Sequence, residues 1–98
     1  LRRLPIRRLA EIESEYYLRF MAIDRPGVLA QIAGILGRFD ISIASVIQKE
    51  RRAGTTVPIV LRTHRARERN LDRALAAIHR LGVVRGRPVA IPIDEQLV

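Results

Sequence analysis

Apolar side chains recur with two different periods along this chain, and the order of these periods limits the fold more than any other feature. They alternate with period two in four segments, which is typical of strands. In two further segments they recur three and four positions apart, which is typical of amphipathic helices. The strand-like segments are 16–23, 41–49, 57–63 and 89–93, and the helix-like segments are 28–39 and 71–81. The predicted order is therefore β-α-β-β-α-β.

This order, with right-handed crossovers, predicts an α+β domain of the ferredoxin-like type. We expect a four-stranded antiparallel sheet in the order fourth, first, third, second strand, with two helices on one face. Pro88 and Pro92 place the fourth strand at an edge, because proline has no N–H to donate to a neighbour. The second strand is then the other edge, and nothing in residues 42–48 blocks its pairing with another chain. Its alternation blurs at 44–46, which predicts a bulge, and Gly82 is expected to end the second helix.

The first strand has two apolar faces. Leu18, Phe20 and Ala22 form the face expected to point into the core, while Met21 and Ile23 lie on the opposite face. Apolar residues on a second face favour a surface that is covered by a partner.

Length and composition indicate one domain without cysteine chemistry. The 98 residues are 48% hydrophobic and include no cysteine, which excludes disulfides and thiol nucleophiles. A reducing, cytoplasmic location fits this composition. No apolar run approaches the roughly 20 residues of a membrane span. Residues 1–15 show no clean period, so they are predicted to be a linker or a short helix from a preceding domain, and 95–98 are predicted to be a tail.

Arginine supplies nearly all of the positive charge. The net charge is +8 and Lys49 is the only lysine. A basic surface can bind nucleic acid, but these arginines are spread along the chain, which favours an ordinary solvated surface. RNA-recognition modules share the predicted topology and stack bases on aromatic residues of the first and third strands. The third strand has no aromatic residue, so RNA binding is only a minor alternative.

The junction between the first strand and the first helix is the candidate binding site. The first N–H groups of a helix lack partners inside the helix, and the helix dipole makes that end electropositive. Gly27 lets a ligand approach the main chain, Pro26 presets the turn, and Asp24 adds a carboxylate. The junction therefore predicts a site for a small zwitterion, whose carboxylate binds the amides and whose ammonium lies near Asp24. Taken alone, Pro26 and Gly27 also suit an ordinary turn.

No catalytic residue, metal site or cofactor site is predicted within this chain. Acylphosphatases place an arginine in the same junction, where this chain has Arg25, but they also need an asparagine near the third strand. The only asparagine is Asn70, at the start of the second helix region. His64 and His79 lack serine or cysteine partners, and there is no GxGxxG dinucleotide fingerprint.

Four further segments carry a more specific signal. They are DRPGVL at 24–29, SVIQK at 45–49, VPIVLRTH at 57–64 and VVRG at 83–86. Together they resemble the ACT domain, a regulatory amino-acid-binding module, and more narrowly the C-terminal ACT domain of homoserine dehydrogenases. Residues 12–17 are similar to the join from the catalytic domain in that family. The resemblance implies an ACT domain at 16–94, preceded by a linker at 1–15 from a catalytic domain outside this sequence.

The resemblance also implies a function. ACT domains commonly pair through the second strand and the first helix, and the effector lies where the first junction of one chain faces the second strand of the other. By analogy the effector is L-threonine, and the domain exerts feedback inhibition on a homoserine dehydrogenase that uses NAD(P). The chain itself would be a homodimer or larger homo-oligomer. The implied effector-binding residues are Asp24, Arg25, Pro26, Gly27, Val28, Leu29, Ile47 and Gln48.

Two points qualify this analogy. Relatives usually carry a glycine just before Ile41, whereas this chain has Asp40, and aspartate tolerates a left-handed conformation better than most residues. Gln48 suits a hydroxyl side chain because its amide both donates and accepts, although a solvated edge residue explains it equally. A dimerisation module without effector binding therefore remains an alternative.

Overall fold

The computed structural model describes residues 12–48 and 54–93 of the chain. The strands are β1 (Glu13–Ile23), β2 (Ile43–Ile47), β3 (Thr56–Thr63), β4 (Ala66–Arg67) and β5 (Val84–Ile93), and the helices are α1 (Val28–Arg38) and α2 (Glu68–His79). The four long strands and both helices confirm the predicted α+β ferredoxin-like fold. The two-residue strand β4 was not predicted. Residues 1–11, Lys49 and 95–98, on which other predictions fall, lie outside the described ranges.

The sheet has the spatial order β5-β1-β3-β2, as predicted. All of these pairs are antiparallel, and β5 and β2 are the edges within the described residues. β4 continues β3 along β1 after an interruption at His64 and Arg65. Tyr17 of β1 lies opposite Arg62, whereas Ser14 lies opposite Ala66, so the register shifts by one residue between the two strands.

One face of the sheet carries the whole core. Side chains from β1, β3 and both helices belong to a single buried cluster, so the two helices lie on the same face. Fully burying a large aliphatic side chain contributes about 1.5–3 kcal/mol, which makes this cluster the main source of stability. Its members without solvent exposure are Leu18, Phe20, Ala22, Ile32, Leu36, Leu61, Ala74 and Ile78.

Several strand boundaries differ from the predictions. β1 begins at Glu13 rather than residue 16, because its first residues pair with β4. β2 begins at Ile43 rather than Ile41, since Ile41 is buried and its N–H donates to Leu36 O at 3.0 Å, beside the helix end. β5 begins at Val84, five residues before the predicted start, because it pairs with the end of β1.

Two strands contain irregularities. The register of β2 against β3 shifts between Ile43 and Ser45, which confirms the predicted bulge. In β5, Val89 lies opposite Arg19 but Arg85 lies opposite Met21. Two extra residues of β5 therefore lie opposite Phe20, an irregularity that was not predicted from the sequence.

Asp40 ends α1 in a left-handed conformation, with φ 64°. Its N–H donates to Gly37 O at 3.0 Å, and the N–H of Ile41 donates to Leu36 O at 3.0 Å. These two bonds form a Schellman motif, in which the left-handed residue is usually glycine. The expectation that aspartate would tolerate this position is confirmed.

The end of α2 was predicted less well. The helix stops at His79, and Arg80 caps it in an ordinary right-handed conformation. Gly82 lies beyond this point and does not have a positive φ, so the prediction that it ends the helix is wrong. With 11 and 12 residues respectively, neither described helix is long and apolar enough to cross a membrane.

Candidate functional site

Gly27 marks the turn where the chain passes from β1 into α1. It is the N-cap of α1, has φ 88°, and no side chain caps the helix here. The N–H of Val28 donates to Arg25 O at 3.3 Å, and the N–H of Gln31 donates to Gly27 O at 3.0 Å. Because L residues with a side chain rarely adopt this positive φ, the turn requires glycine.

The first turn of α1 leaves several amides uncovered. Within residues 12–48 and 54–93, no backbone oxygen accepts a hydrogen bond from the N–H of Gly27, Leu29 or Ala30. A Cβ built on Gly27 would meet no atom within 4 Å, so the space above this residue is open. The first turn of α1 also lacks an acidic residue. The electropositive helix end is therefore available to an anion.

Asp24 lies at the base of this junction and is held by the segment that precedes β3. Its N–H donates to Thr55 O at 2.8 Å, and Gly54 N–H donates to Asp24 O at 3.0 Å. The residue is only 5% exposed. Asp24 thus has a structural role that the sequence did not reveal, because its partners lie some thirty positions away. The turn residue Gly54, with φ 81°, was the available signal.

Ile47 and Gln48 do not meet the junction of their own chain. Ile47 lies opposite Val60, whereas Ile23, at the end of β1, lies opposite Thr56. Four residues along β3 and two strand spacings separate Ile47 from Ile23, which corresponds to about 16 Å. Within one copy of the chain, Ile47 therefore lies apart from the predicted residues of the junction.

The outer edge of β2 is open within the described part of the chain, where β2 pairs only with β3. Val46 and Ile47 are 40% and 46% exposed. The Tyr16 N–H points toward β3. N–H directions alternate along each strand of an antiparallel sheet, and the register carries this alternation across β3 to β2. The amides of Ser45 and Ile47 therefore point toward β3, and that of Val46 points outward. Such an edge is suited to pairing with another strand.

The other candidate residues do not assemble into a catalytic or metal site. The N–H of His64 donates to Ser42 O at 2.9 Å, and Nδ1 of the exposed His79 lies 2.9 Å from Gly86 O. Asn70 is part of α2 rather than of β3. Among the residues that the structure describes, no group of three His, Asp or Glu side chains is placed to hold a metal ion.

The sheet also lacks the aromatic pair that RNA-recognition modules use. Tyr17 is exposed on the sheet face opposite the helices. The residues of β3 that share this face by register are Thr56, Pro58, Val60 and Arg62, and none of them can stack on a base as an aromatic ring does.

Fold and junction together define a small ferredoxin-like domain with a helix N-terminus open to an anionic group and a free strand edge. The sequence model of the ACT domain family matches residues 16–83. This chain belongs to the ACT domain family.

Its relatives are more specific. The homoserine dehydrogenases of Methylobacillus glycogenes and Pseudomonas aeruginosa are each 44% identical to it, over 93 and 92 residues. These alignments cover 94% and 93% of this chain but only 23% and 21% of the two proteins. The crystal structure of a homoserine dehydrogenase from Thiobacillus denitrificans aligns with a TM-score of 0.79 at 40% identity, covering 93% of this chain and 19% of that one. The chain thus spans about a fifth of these relatives, and the predicted resemblance is confirmed.

More distant structures share the fold alone. The ACT domain of a GTP pyrophosphokinase from Chlorobium tepidum aligns with a TM-score of 0.64 at 16% identity, covering 82% of this chain and all of that domain. At this identity the likeness identifies the architecture and not the ligand.

Proposed function

We propose that this chain is the regulatory ACT domain of a homoserine dehydrogenase and that it binds L-threonine between two copies of the domain. The uncovered amides around Gly27, in a chain 44% identical to homoserine dehydrogenases, support this most directly. The parent enzyme would reduce aspartate semialdehyde to homoserine with NAD(P), in a catalytic domain outside this sequence. Residues 1–15 would connect that domain to the ACT domain at 16–94.

The junction suits the head group of an amino acid. The carboxylate would accept hydrogen bonds from the amides of Gly27, Leu29 and Ala30, where the helix dipole favours negative charge. Such bonds to a charged acceptor are stronger than bonds between neutral groups. The ammonium would lie toward Asp24, and the open space above Gly27 admits the ligand to the backbone.

A second copy would complete the site. Antiparallel pairing of two β2 edges would form an eight-stranded sheet and bring Ile47 and Gln48 of one copy to the junction of the other. The Gln48 amide can both donate to and accept from the threonine hydroxyl, and Ile47 offers an apolar surface to the threonine methyl group. Threonine would then favour one arrangement of the attached catalytic domains, a coupling typically worth about 1–3 kcal/mol.

Thermal unfolding of the 98-residue chain with a panel of amino acids tests effector binding. Threonine should raise the melting temperature, because a ligand that binds only the folded state stabilises it, whereas lysine and phenylalanine should not. Gly27→Asp places a carboxylate at the amides and should abolish the threonine shift. Gly34→Asp makes the same change at an open position in the middle of α1 and should leave the shift intact.

The alternative is a dimerisation module without an effector, and the open β2 edge favours it as a second candidate. A melting temperature that responds to no amino acid, in a chain that still dimerises, would establish it. Val46→Pro removes the outward amide of β2 and should produce monomers in sedimentation velocity, while Val46→Thr retains that amide and should remain dimeric. A native chain that stays monomeric at millimolar concentration would refute the interface.

A further inference from the structure

Hydrogen bonds, rather than apolar burial, hold the start of β1 in the sheet. The first three residues of the strand are partly or fully exposed. The N–H of Glu68 donates to Ile12 O at 2.9 Å, and Nη2 of Arg65 donates to Glu13 O at 3.2 Å. We call these two hydrogen bonds the β1 clamp. A bond from a charged donor is stronger than one between neutral groups, so the Arg65 bond is the stronger member of the clamp.

The register shift between β3 and β4 explains why Arg65 can make this contact. Without the shift, the pairing of Tyr17 with Arg62 would continue and would place Arg65 opposite Ser14, on the core face of the sheet. The shift gives that place to Ala66, which is only 4% exposed. A shift of one residue turns the following side chains to the other face. Arg65 therefore leaves the core face and is exposed, where its guanidinium can reach β1.

The side chain of Arg65 reaches across β1. The Tyr16 N–H points toward β3, and the directions of the backbone groups alternate along a strand, so Glu13 O faces the β5 side. Arg65 approaches from the other side, where β4 pairs with β1. On the β5 side, Ser14 Oγ lies 3.2 Å from Ile93 O. Polar contacts thus hold the strand start from both sides.

β1 connects this clamp to the junction at the other end of the sheet. Its 11 residues span roughly 35 Å, and the strand ends at Ile23, next to Asp24. In the function proposed above, the chain that precedes β1 leads to the catalytic domain. A flexible connection would absorb any movement of the paired ACT domains, whereas a strand held in the sheet transmits it.

We propose that Arg65 is a positioning residue, which fixes the direction in which the chain leaves β1 and so couples the effector junction to the catalytic domain. This inference rests on the proposed function and adds the regulation of the same site. With the Arg65 bond in place, the strand start moves as one body with the sheet. Without it, an effector still binds at the distant junction, but the catalytic domain no longer follows.

Amide exchange of the 98-residue chain tests the hold of the clamp. Arg65→Met keeps the apolar stem and removes the donor, so the amides of Ser14 and Glu15 should exchange about tenfold faster. Arg65→Lys retains a charged donor and should restore much of the protection. Arg73→Met removes the same charge from the exposed side of α2 and should exchange like the native chain. Unchanged exchange in Arg65→Met, or equal acceleration in Arg73→Met, would overturn the clamp.

Interdomain distances in the full-length protein test the positioning role. Ala76 is exposed on α2, and this chain has no cysteine, so Ala76→Cys provides a specific site for a spin label. A second label on the catalytic domain then gives a distribution of distances by electron–electron resonance. The distribution should be broader in Arg65→Met than in the native protein and should narrow again in Arg65→Lys. A native width in Arg65→Met would mean that Arg65 only stabilises the strand start, and it would overturn the positioning role.

Threonine inhibition of the full-length protein separates this inference from the proposed function. Arg65→Met should retain the rise in melting temperature with threonine but lose most of the inhibition, because binding and transmission occur at opposite ends of β1. Inhibition as strong as in the native protein would overturn the coupling. A native protein whose melting temperature does not respond to threonine would refute the proposed function. The distance distributions would then decide the positioning role by themselves.

Discussion

Helices α1 and α2 both begin where a strand of the same sheet ends, yet their first turns are arranged differently. α1 begins after a left-handed Gly27 and has no acidic residue in its first turn. α2 follows β4 directly, from Arg67 in an extended conformation, and begins with Glu68. The N–H of Glu68 donates to Ile12 O at 2.9 Å. At the start of α1 the glycine is open and no acidic residue is present, whereas at the start of α2 the domain binds the first amide and supplies a carboxylate.

This difference shows how one topology produces a single candidate site from two similar β–α units. Both helix starts have unpaired amides and a favourable dipole in principle. At α2 the chain supplies a carbonyl from Ile12 and a carboxylate from Glu68. At α1 the first turn has no acidic residue, the carbonyl of Arg25 accepts, within the described residues, only the N–H of Val28, and the glycine leaves the backbone accessible. The two helix starts therefore differ in accessibility and local charge although their topology is similar.

The largest effect of a single change is expected where β3 passes into β4, just before α2. The buried hydroxyl of Thr63 accepts the N–H of Tyr16 at 3.1 Å. Thr63→Val keeps the shape but leaves this amide unpaired, which should lower the free energy of unfolding by about 1–3 kcal/mol. Urea denaturation measures the change. Thr56→Val, at the exposed other end of β3, should lower the free energy of unfolding by less than about 0.5 kcal/mol. An equal loss in both variants would contradict the role assigned to the Thr63 hydroxyl.

The next effect concerns the left-handed start of α1. Gly27→Ala meets no steric contact but forces a side chain into a positive φ, so the unfolding free energy should fall by about 1–2 kcal/mol. Gly34→Ala, in the middle of the same helix, should raise it by about 0.5–1 kcal/mol. Thermal and urea unfolding of the two variants provide the measurement. Changes of the same sign would mean that backbone conformation at Gly27 does not govern this turn.

A smaller effect should show whether the Glu68 amide closes the start of α2. Proline is tolerated at the first helical position, and the φ of −74° and ψ of 134° at Arg67 suit a residue before proline. Glu68→Pro removes the N–H bonded to Ile12 O together with the carboxylate, and the loss of this hydrogen bond should cost about 1 kcal/mol and speed amide exchange at the start of β1. Glu68→Ala keeps the N–H, so the amides at the start of β1 should exchange as slowly as in the native chain. Fast amide exchange in both variants would mean that the Glu68 carboxylate, and not its N–H, holds the start of α2 against β1.

The smallest effect is a loss of stability at high pH. Burial raises the pKa of Tyr16, and the nearby carboxylates of Glu68 and Asp72 raise it further. The folded state thus holds this proton more tightly than the unfolded chain does. The resulting stabilisation is complete below about pH 10, the pKa of an unperturbed tyrosine, and is lost as the pH rises above it. In urea unfolding across this range, the free energy of unfolding should fall less steeply with pH for Tyr16→Phe than for the native chain, and Glu68→Gln should be intermediate. The same slope in Tyr16→Phe as in the native chain would contradict this.

The sequence was a good guide where structure depends on neighbours along the chain. The alternation of Leu18, Phe20 and Ala22 gave the buried face of β1, and the prolines of the last strand gave its edge position. It was a poor guide where strands interrupt their own pattern. β5 contains two extra residues opposite Phe20, and β4 has only two residues, too few to show any period. The roles predicted for the effector-binding residues stay predictions.

The sequence by itself determined the order of the elements, the buried faces of β1, β3 and both helices, and the left-handed turn at Asp40, because these follow from local periodicity and backbone preference. In β5 the alternating Val89 and Ile91 are exposed instead. Only the tertiary structure decided that the first amide of α2 is bonded within the domain and that Asp24 is anchored at the base of the junction. That depends on Ile12 reaching Glu68 and on Gly54 and Thr55 holding Asp24, contacts between residues far apart in the chain. Hydrogen bonds of this kind form only after the sheet has brought its strands together, so no local pattern announces them.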